Sequence, residues 1–262
     1  METGLANKVV VITASSKGLG KATAIRYAME RANVVISSSN RKNLEKAVRD
    51  IQKESGKKVD SVVCDLSQKE DIINLMNYTV STFGTVDVLV SNTGGPPPGG
   101  FDDVDDEKWQ YTFEIVLLSM VRCIREVLPY MKKQKNGRIV NIASSSFKQP
   151  IDKLILSNSF RTGILGLSKN IATELAPYNI LINTVGHGRI ETERVSSLDS
   201  ETARSLGITK NEAKNKAISM IPAGRYEHPD EFASVVLFLG SFANTFATGQ
   251  SILVDGGMVK SI

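Results

Sequence analysis

Residues 13–20 form a short glycine-containing segment with the residue types that hold a phosphate group. The segment follows an apolar run at residues 9–12 and precedes a helical pattern that begins near Gly18. Glycine lets the backbone approach a diphosphate, and a helix N-terminus offers free N–H groups and a partial positive charge. Ala14 occupies the first position of the turn, and we expect its φ to stay negative. A strand, a glycine turn and a helix in this order predict a nucleotide site.

The charges around this turn indicate which nucleotide it takes. From Ser37 to Asn40, after a second apolar run, the chain has no carboxylate, and Arg41 follows; Lys17 stands just before Gly18. A carboxylate there would bind the ribose hydroxyls of NAD and repel a 2′-phosphate, whereas cations attract that phosphate. We therefore predict NADP(H) as the cofactor. The alternative is that Lys17 and Arg41 are only solvated.

Apolar runs of strand length alternate with helical patterns along the whole chain. The runs are rich in Val, Ile and Leu without polar alternation, which is typical of strands buried on both faces of a parallel sheet. They lie near residues 9–12, 34–36, 62–64, 86–90, 139–142, 180–185 and 251–254, with helices predicted near residues 19–29, 43–54, 72–80, 107–133, 157–175 and 230–239. We predict an α/β fold in which residues 1–262 form one doubly wound, Rossmann-like parallel sheet.

The polar segment at about residues 191–220 is the one irregular insertion in this pattern. It follows the sixth predicted strand, and ligands of such sheets bind at the carboxyl ends of the strands. We expect the segment to form a mobile helical lid over the substrate.

The composition argues against several classes of protein. The net charge of +4 comes from 32 basic and 28 acidic residues that are dispersed along the chain, so neither a nucleic acid nor a membrane partner is expected. The two cysteines, Cys64 and Cys123, are predicted to be buried free thiols, and with two distant histidines they predict no metal site. No apolar stretch precedes the first strand, so we expect a cytoplasmic protein.

Several segments resemble the short-chain dehydrogenase/reductase family. Residues 13–20 resemble its nucleotide turn, Asn-Thr-Gly-Gly at residues 92–95 resembles its Asn-Asn-Ala-Gly element, and residues 137–144 resemble the strand that ends in its catalytic serine. Residues 91–99, 148–150 and 157–161 further resemble a side-branch that is often labelled 3-oxoacyl-[acyl-carrier-protein] reductase. Residues 249–257 resemble the family's C-terminal strand and loop, which implies a homo-oligomer, either a tetramer or a dimer.

The resemblance implies cofactor contacts from the first turn, from the end of the second strand, and from the loops after the third, fourth and sixth strands. These residues are Thr13, Ser15, Ser16, Lys17, Gly18, Leu19, Gly20, Ser39, Asn40, Arg41, Asp65, Leu66, Asn92, Thr93, Gly94, Arg161, Gly188, Ile190 and Thr192.

The proton chemistry is where the chain departs from the family. The resemblance implies a Tyr-x-x-x-Lys pair beginning thirteen residues beyond Ser144, but Ser157 and Arg161 occupy those two positions, and the family's asparagine would fall at Val116. The candidate catalytic residues are therefore Ser144, Ser157, Asn158, Arg161 and His187. Ser144 is otherwise a plain strand-end hydroxyl. His187 either replaces the proton donor, since imidazole titrates near neutral pH, or only fills a loop.

Two functions agree with these residues. The first is an NADP(H)-dependent oxidoreductase with a non-standard active site. Its small-molecule substrate would be a ketone, enone or ketoacyl compound converted to or from an alcohol, or an aldose converted to or from its lactone. The alternative is a non-catalytic dinucleotide-binding sensor or interaction protein, since a nucleotide turn can persist after its chemistry is lost.

Overall fold

The computed structural model describes residues 1–261, which form one seven-stranded sheet with helices on both faces. All strand pairs are parallel, and the spatial order is β3-β2-β1-β4-β5-β6-β7. The strands are β1 (Val9–Ile12), β2 (Asn33–Ser38), β3 (Asp60–Val63), β4 (Val88–Ser91), β5 (Gly137–Ser144), β6 (Ile180–His187) and β7 (Ser251–Val254). The predicted α/β doubly wound sheet is confirmed.

The helices alternate with the strands. They are α1 (Gly18–Met29), α2 (Arg41–Ser55), α3 (Lys69–Phe83), α4 (Asp106–Thr112), α5 (Ser119–Gln134), α6 (Ile155–Leu175), α7 (Glu193–Leu206), α8 (Lys210–Ser219) and α9 (Pro229–Leu239). Short 3-10 turns lie at Phe101–Asp103, Ser145–Phe147 and Ala176–Tyr178. No helix within residues 1–261 has the length and apolar character that crossing a membrane requires.

The core has two layers, one on each face of the sheet. On one face, Tyr27 of α1 and Phe232 of α9 are fully buried against β-branched residues of the strands. On the other face, α3, α5 and α6 bury residues such as Leu75, Met131 and Leu175. This burial on both sides explains why the strand segments lack polar alternation.

The chain between β4 and β5 differs from the single helix predicted at residues 107–133. A π-helical segment, Phe113–Leu118, separates α4 from α5. It contains Val116, which is completely buried beside Met120 and Ile164. Hydrophobic spacing alone does not predict such a segment, because π-helical turns are rare and occur as short interruptions of α-helices.

The strand order reverses between β1 and β4, so the crevice for a ligand opens at the carboxyl ends of these two strands. β5 and β6 are longer than predicted and extend to Ser144 and His187 at the same edge. The insertion at residues 191–220 folds as α7 and α8, which confirms its predicted helical character.

Candidate active site

Thr13 and Asn92 join the two strands that border the crevice. The Thr13 hydroxyl donates to the Asn92 carbonyl oxygen at 2.6 Å and accepts from the Asn92 N–H at 2.8 Å. The Asn92 side chain donates to the Ala14 carbonyl oxygen at 3.0 Å. These bonds fix the turn after β1 against the loop after β4, so the shape of the crevice is set before any ligand binds.

Ala14 corrects one expectation from the sequence. Its φ is +45°, in the left-handed region, rather than negative. Such a conformation costs a non-glycine residue about 1–2 kcal/mol. The backbone here is closely packed: a Cβ on Gly20 would lie 2.7 Å from the Ala14 carbonyl oxygen, the same oxygen that accepts from the Asn92 side chain. The turn therefore has a strained backbone conformation at Ala14.

The first turn of α1 is suited to an anion. Its N-cap residue, Lys17, is extended and makes no side-chain cap, and no acidic residue lies in the first turn. Gly18 adopts a φ of +52°. Across the crevice Gly94 is exposed, and a Cβ built there meets no atom within 4 Å. The unfilled helix N-terminus faces an open glycine surface, as a diphosphate requires. Leu19, in the same helical turn, packs on the core.

The serine hydroxyls of the turn after β1 form hydrogen bonds to β1 and to the end of β2. The hydroxyl of Ser15 donates to the Ile12 carbonyl oxygen at 2.7 Å and accepts from the Ser37 N–H at 3.1 Å, so it ties β1 to β2. The hydroxyl of Ser16 donates to that of Ser38 at 2.9 Å. Their role toward a cofactor stays a prediction.

The next three residues reach the surface. The Asn40 side chain caps α2 by accepting from the Asn43 N–H at 2.9 Å. Ser39 and Arg41 are exposed, and none of the ion pairs within residues 1–261 includes Arg41. Arg41 thus offers an uncommitted cation beside the crevice.

Lys17, the other predicted phosphate contact, already has a partner at the start of α7. Its Nζ lies 2.8 Å from Oε2 of Glu193, the first residue of α7. Both side chains are exposed, and the Lys17 charge holds the pKa of Glu193 below its usual value. The sequence does not reveal this pair, since 176 positions separate the residues.

The loops after β3 and β4 carry the remaining predicted contacts on this side. Asp65 Oδ1 accepts from both the backbone N–H and the hydroxyl of Ser67 at 2.9 Å, which fixes the turn into α3. Leu66 packs on the apolar core of that face. Thr93 is 8 % exposed, and its hydroxyl donates to the Gly94 carbonyl oxygen at 3.2 Å.

Ser144 and His187 lie side by side at the ends of β5 and β6, where they are register partners. Ser144 is 7 % exposed, and its Oγ accepts from the Ser146 N–H at 3.3 Å. Nδ1 of His187 lies 2.8 Å from the Gly188 carbonyl oxygen, and its ring packs edge-on against Phe232. The Ser144 hydroxyl hydrogen remains available to a ligand, because that oxygen acts here only as an acceptor.

Titration of His187 near neutral pH, expected from the sequence, is wrong for this environment. Its pKa is lowered to about 4, mainly by burial; the bond to Gly188 opposes this shift, and the positive charge of Arg161 adds to it. At neutral pH the ring is therefore uncharged. A carbonyl oxygen can only accept, so Nδ1 carries the hydrogen and Nε2 is an acceptor.

Ser157 and Asn158 are near Ser144 in the fold but are bonded elsewhere. The Ser157 hydroxyl lies 3.1 Å from that of Ser146, and both are buried. Asn158 binds Ile151 twice, accepting from its N–H and donating to its carbonyl oxygen at 3.0 Å each. This clamp occupies both ends of the amide, so Asn158 fixes the loop before α6. Ser146 was missed from the sequence, although it belongs to a run of three serines.

Arg161 is a buried cation beneath the ends of β5 and β6. It is 4 % exposed, and its Nη1 donates to the Ile142 carbonyl oxygen at 2.8 Å. Its Nε is buried and has no hydrogen-bond partner among residues 1–261. Burial lowers its pKa to about 10, so the guanidinium remains charged at neutral pH. Arg161 therefore supplies positive potential and an unused donor close to His187.

The segment after β6 is held against the rest of the sheet edge. The Gly188 N–H donates to the Val254 carbonyl oxygen at 2.9 Å, and a Cβ on Gly188 would lie 2.8 Å from Asp255 Cα. Ile190 is buried and bridges to Glu227. Thr192 caps α7 by accepting from the Val195 N–H at 3.3 Å.

Known proteins are similar to this chain over almost its whole length. Residues 13–259 match the family model described as Enoyl-(Acyl carrier protein) reductase. The chain belongs to the short-chain dehydrogenase/reductase family. It is 34 % identical to 3-oxoacyl-[acyl-carrier-protein] reductase FabG of Thermotoga maritima, over 97 % of this chain and 99 % of that protein. It is 30 % identical to NADPH-dependent reductase BacG of Bacillus subtilis, over 98 % and 100 %.

A solved structure is also similar to this chain. L-Sorbose reductase from Gluconobacter frateurii, complexed with NADPH and L-sorbose, superposes with a TM-score of 0.94 at 30 % identity and covers 100 % of both chains. Independently of this family membership, three features of the crevice fit a dinucleotide. These are the uncapped α1 N-terminus, the open face of Gly94 and the unpartnered Nε of Arg161.

Proposed function

We propose that the protein is an NADP(H)-dependent oxidoreductase with a non-standard active site. Its substrate is a small ketone, enone or ketoacyl compound that is converted to or from an alcohol, or an aldose converted to or from its lactone. The family membership and the NADPH complexes of similar proteins support the class of reaction. The absence of a carboxylate at the end of β2 and the presence of Lys17 and Arg41 support NADP(H) over NAD(H).

One observation carries the catalytic part of the proposal. A free serine hydroxyl, Ser144, and a buried guanidinium, Arg161, lie at the same edge of the sheet, beside the crevice. In this family a tyrosine and a lysine at these two helix positions carry out the proton transfer. We propose that Ser157 and Arg161 stand in their place, so that charge stabilisation carries more of the reaction than proton donation.

The chain's own groups then have defined tasks. NADP(H), when bound, supplies or accepts the hydride. The Ser144 hydroxyl donates a hydrogen bond to the substrate oxygen and orients it. The Arg161 charge stabilises negative charge as it develops on that oxygen, and its burial strengthens the effect because the local dielectric constant is low.

The buried hydroxyl pair of Ser146 and Ser157 is the proposed route by which a proton passes from solvent to the substrate oxygen in reduction, and from that oxygen to solvent in oxidation. Either oxygen can be the donor, so one hydrogen of the pair is always free to reach beyond it. Neutral His187, whose Nε2 is an acceptor, is suited to accept a hydrogen bond and does not serve as an acid at neutral pH.

The test is turnover with a panel of aldehydes, ketoesters, enones and sugars, followed by NADPH absorbance. Turnover with NADPH well above that with NADH is expected. Ser144→Ala should lower kcat/KM by about 10²- to 10³-fold because it removes a group that orients the substrate. Ser159→Ala is the matched control, since Ser159 is exposed on α6. A preference for NADH, or full activity of Ser144→Ala, would contradict the proposal.

The non-catalytic sensor is the second candidate, and one observation favours it. The side chains of Ser157 and Asn158 are already bonded to Ser146 and Ile151, which leaves few free groups for chemistry. Tight NADPH binding with no turnover across the panel would favour the sensor. Turnover of any one carbonyl compound with NADPH would exclude it.

Three further expectations accompany this function. The helices α7 and α8 are proposed to cover a bound substrate as a lid within one NADP-binding domain. Self-association and a cytoplasmic location stay predictions from the sequence. Analytical ultracentrifugation of the purified chain tests the first of these two, and a monomer at micromolar concentration would contradict it.

A further inference from the structure

Three consecutive residues at the start of the lid cross the crevice. Thr192 lies over the nucleotide turn, where its Cγ2 is 3.6 Å from the position that a Cβ on Gly18 would take. Glu193 pairs with Lys17 on the same side. The lid therefore contacts the rim of the crevice formed by the turn after β1.

Arg194 reaches the opposite rim. Its Nη2 donates to the Pro96 carbonyl oxygen at 2.8 Å, and its Nε lies 3.3 Å from the position of a Cβ on Gly95. Both residues belong to the loop after β4, which is itself fixed to the entrance of α6 by a bond from the Gly99 N–H to the Lys153 carbonyl oxygen at 2.6 Å. Arg194 thus lies over a rigid support.

Arg194 is a cation without an acidic partner in the part of the chain that the structure describes. None of the ion pairs formed within residues 1–261 includes it, whereas Glu191, Glu193 and Asp199 of the same segment are each paired with a cation. Its one hydrogen bond goes to a neutral carbonyl oxygen and leaves the other N–H groups of the guanidinium free. An oxyanion is a stronger acceptor than a neutral carbonyl, and the planar guanidinium matches phosphate oxygens in pairs.

The space between the two rims has the other features of a diphosphate site. The α1 N-terminus is uncapped on one side, and the open face of Gly94 lies on the other. We propose that Arg194 is a binding residue for the diphosphate of the dinucleotide, and that its bond to Pro96 is exchanged for phosphate oxygens when the ligand enters. This inference rests on the proposed function, because it takes NADP(H) as the ligand.

The test is dinucleotide affinity, measured by isothermal titration calorimetry on the full chain. Arg194→Met should weaken both NADPH and NADH by about ten- to a hundredfold, since a charge-assisted contact is lost and the diphosphate is common to both. The ratio of the two affinities should stay unchanged. Arg194→Lys, which keeps the charge but not the planar fork, should lie between wild type and Arg194→Met.

Arg204→Met is the matched control, because Arg204 is exposed near the end of the same helix. It should bind both dinucleotides as the wild type does. Equal NADPH affinity of Arg194→Met and wild type would overturn the role of Arg194, and so would a loss confined to NADPH. Turnover is measured separately. If the wild-type protein binds NADPH but shows no turnover, the proposed function is contradicted. The affinity comparison still tests the role of Arg194 in that case.

Discussion

Ser144 and His187 are direct partners in the β5–β6 ladder, although 43 positions separate them in the chain. One presents a hydroxyl whose hydrogen is free, and the other presents a neutral imidazole. Parallel pairing brings the two together because both strands end at the same edge of the sheet. The pair limits the chemistry at neutral pH: it can donate through Ser144 and accept through His187.

The stability of the protein should depend on the protonation of His187. Its pKa falls from 6.5 to about 4 on folding, so between these values the unfolded chain binds a proton that the folded chain does not. The free energy of unfolding should therefore decrease as pH falls from about 6.5 to 4, by up to about 3 kcal/mol. Urea unfolding at pH 7 and pH 4.5 measures this loss.

His187→Asn should show a smaller loss of stability over the same pH range, whatever its stability at pH 7. His228→Asn is the control, since His228 caps α9 at the surface and asparagine also serves as a cap. If His187→Asn and wild type lose equal stability on acidification, His187 is not held neutral by burial.

Ala14→Gly should stabilise the protein by about 1 kcal/mol, because glycine removes the cost of the left-handed conformation. The added freedom of glycine in the unfolded chain offsets part of this gain. Thermal unfolding measures the change. Ala176→Gly is the control: its φ is −53°, so the substitution there should destabilise by about 0.5–1 kcal/mol. A destabilised Ala14→Gly would show that no strain resides in the turn.

Arg161→Met should lower kcat/KM by about 10²- to 10³-fold while leaving the free energy of unfolding unchanged or higher. Folding buries this charge and lowers its pKa to about 10, so the charged form is disfavoured by the fold. Enzyme kinetics and urea unfolding of one variant measure both effects.

Arg138→Met provides the contrast. Arg138 is also buried, but it donates to the carbonyl oxygens of Asn244, Gly137 and Asn179. Its loss should therefore destabilise the protein. Parallel losses of stability and activity in Arg161→Met would indicate that Arg161 is structural.

Glu193→Gln should tighten NADPH binding by about two- to fivefold and leave NADH binding unchanged. The substitution removes the carboxylate that occupies Lys17, and an exposed ion pair contributes little, so the gain is small. Titration calorimetry at 20 mM and 500 mM salt tests this, since the difference should shrink as salt screens the charges. Lys17→Gln should have the opposite effect on NADPH. Equal changes for NADPH and NADH would contradict the assignment of Lys17 to the 2′-phosphate.

The order of strands and helices, the nucleotide turn and the family could all be predicted from the sequence. Each depends on neighbours along the chain: apolar runs of Val and Ile, a glycine turn between a strand and a helix, and short motifs such as residues 92–95. The exposed charges at Lys17 and Arg41 also follow from local composition.

The hydrogen-bond and ion-pair partners of the side chains in the site could be known only from the tertiary structure. Ser157 bonds to Ser146, Lys17 to Glu193 and Arg194 to Pro96, and each pair joins different elements. The neutral state of His187 likewise comes from Phe232 and the other residues that bury it, not from its neighbours in the chain. Local periodicity specifies which elements form. The packing of those elements determines which side chains come into contact and how far each contact is buried from solvent.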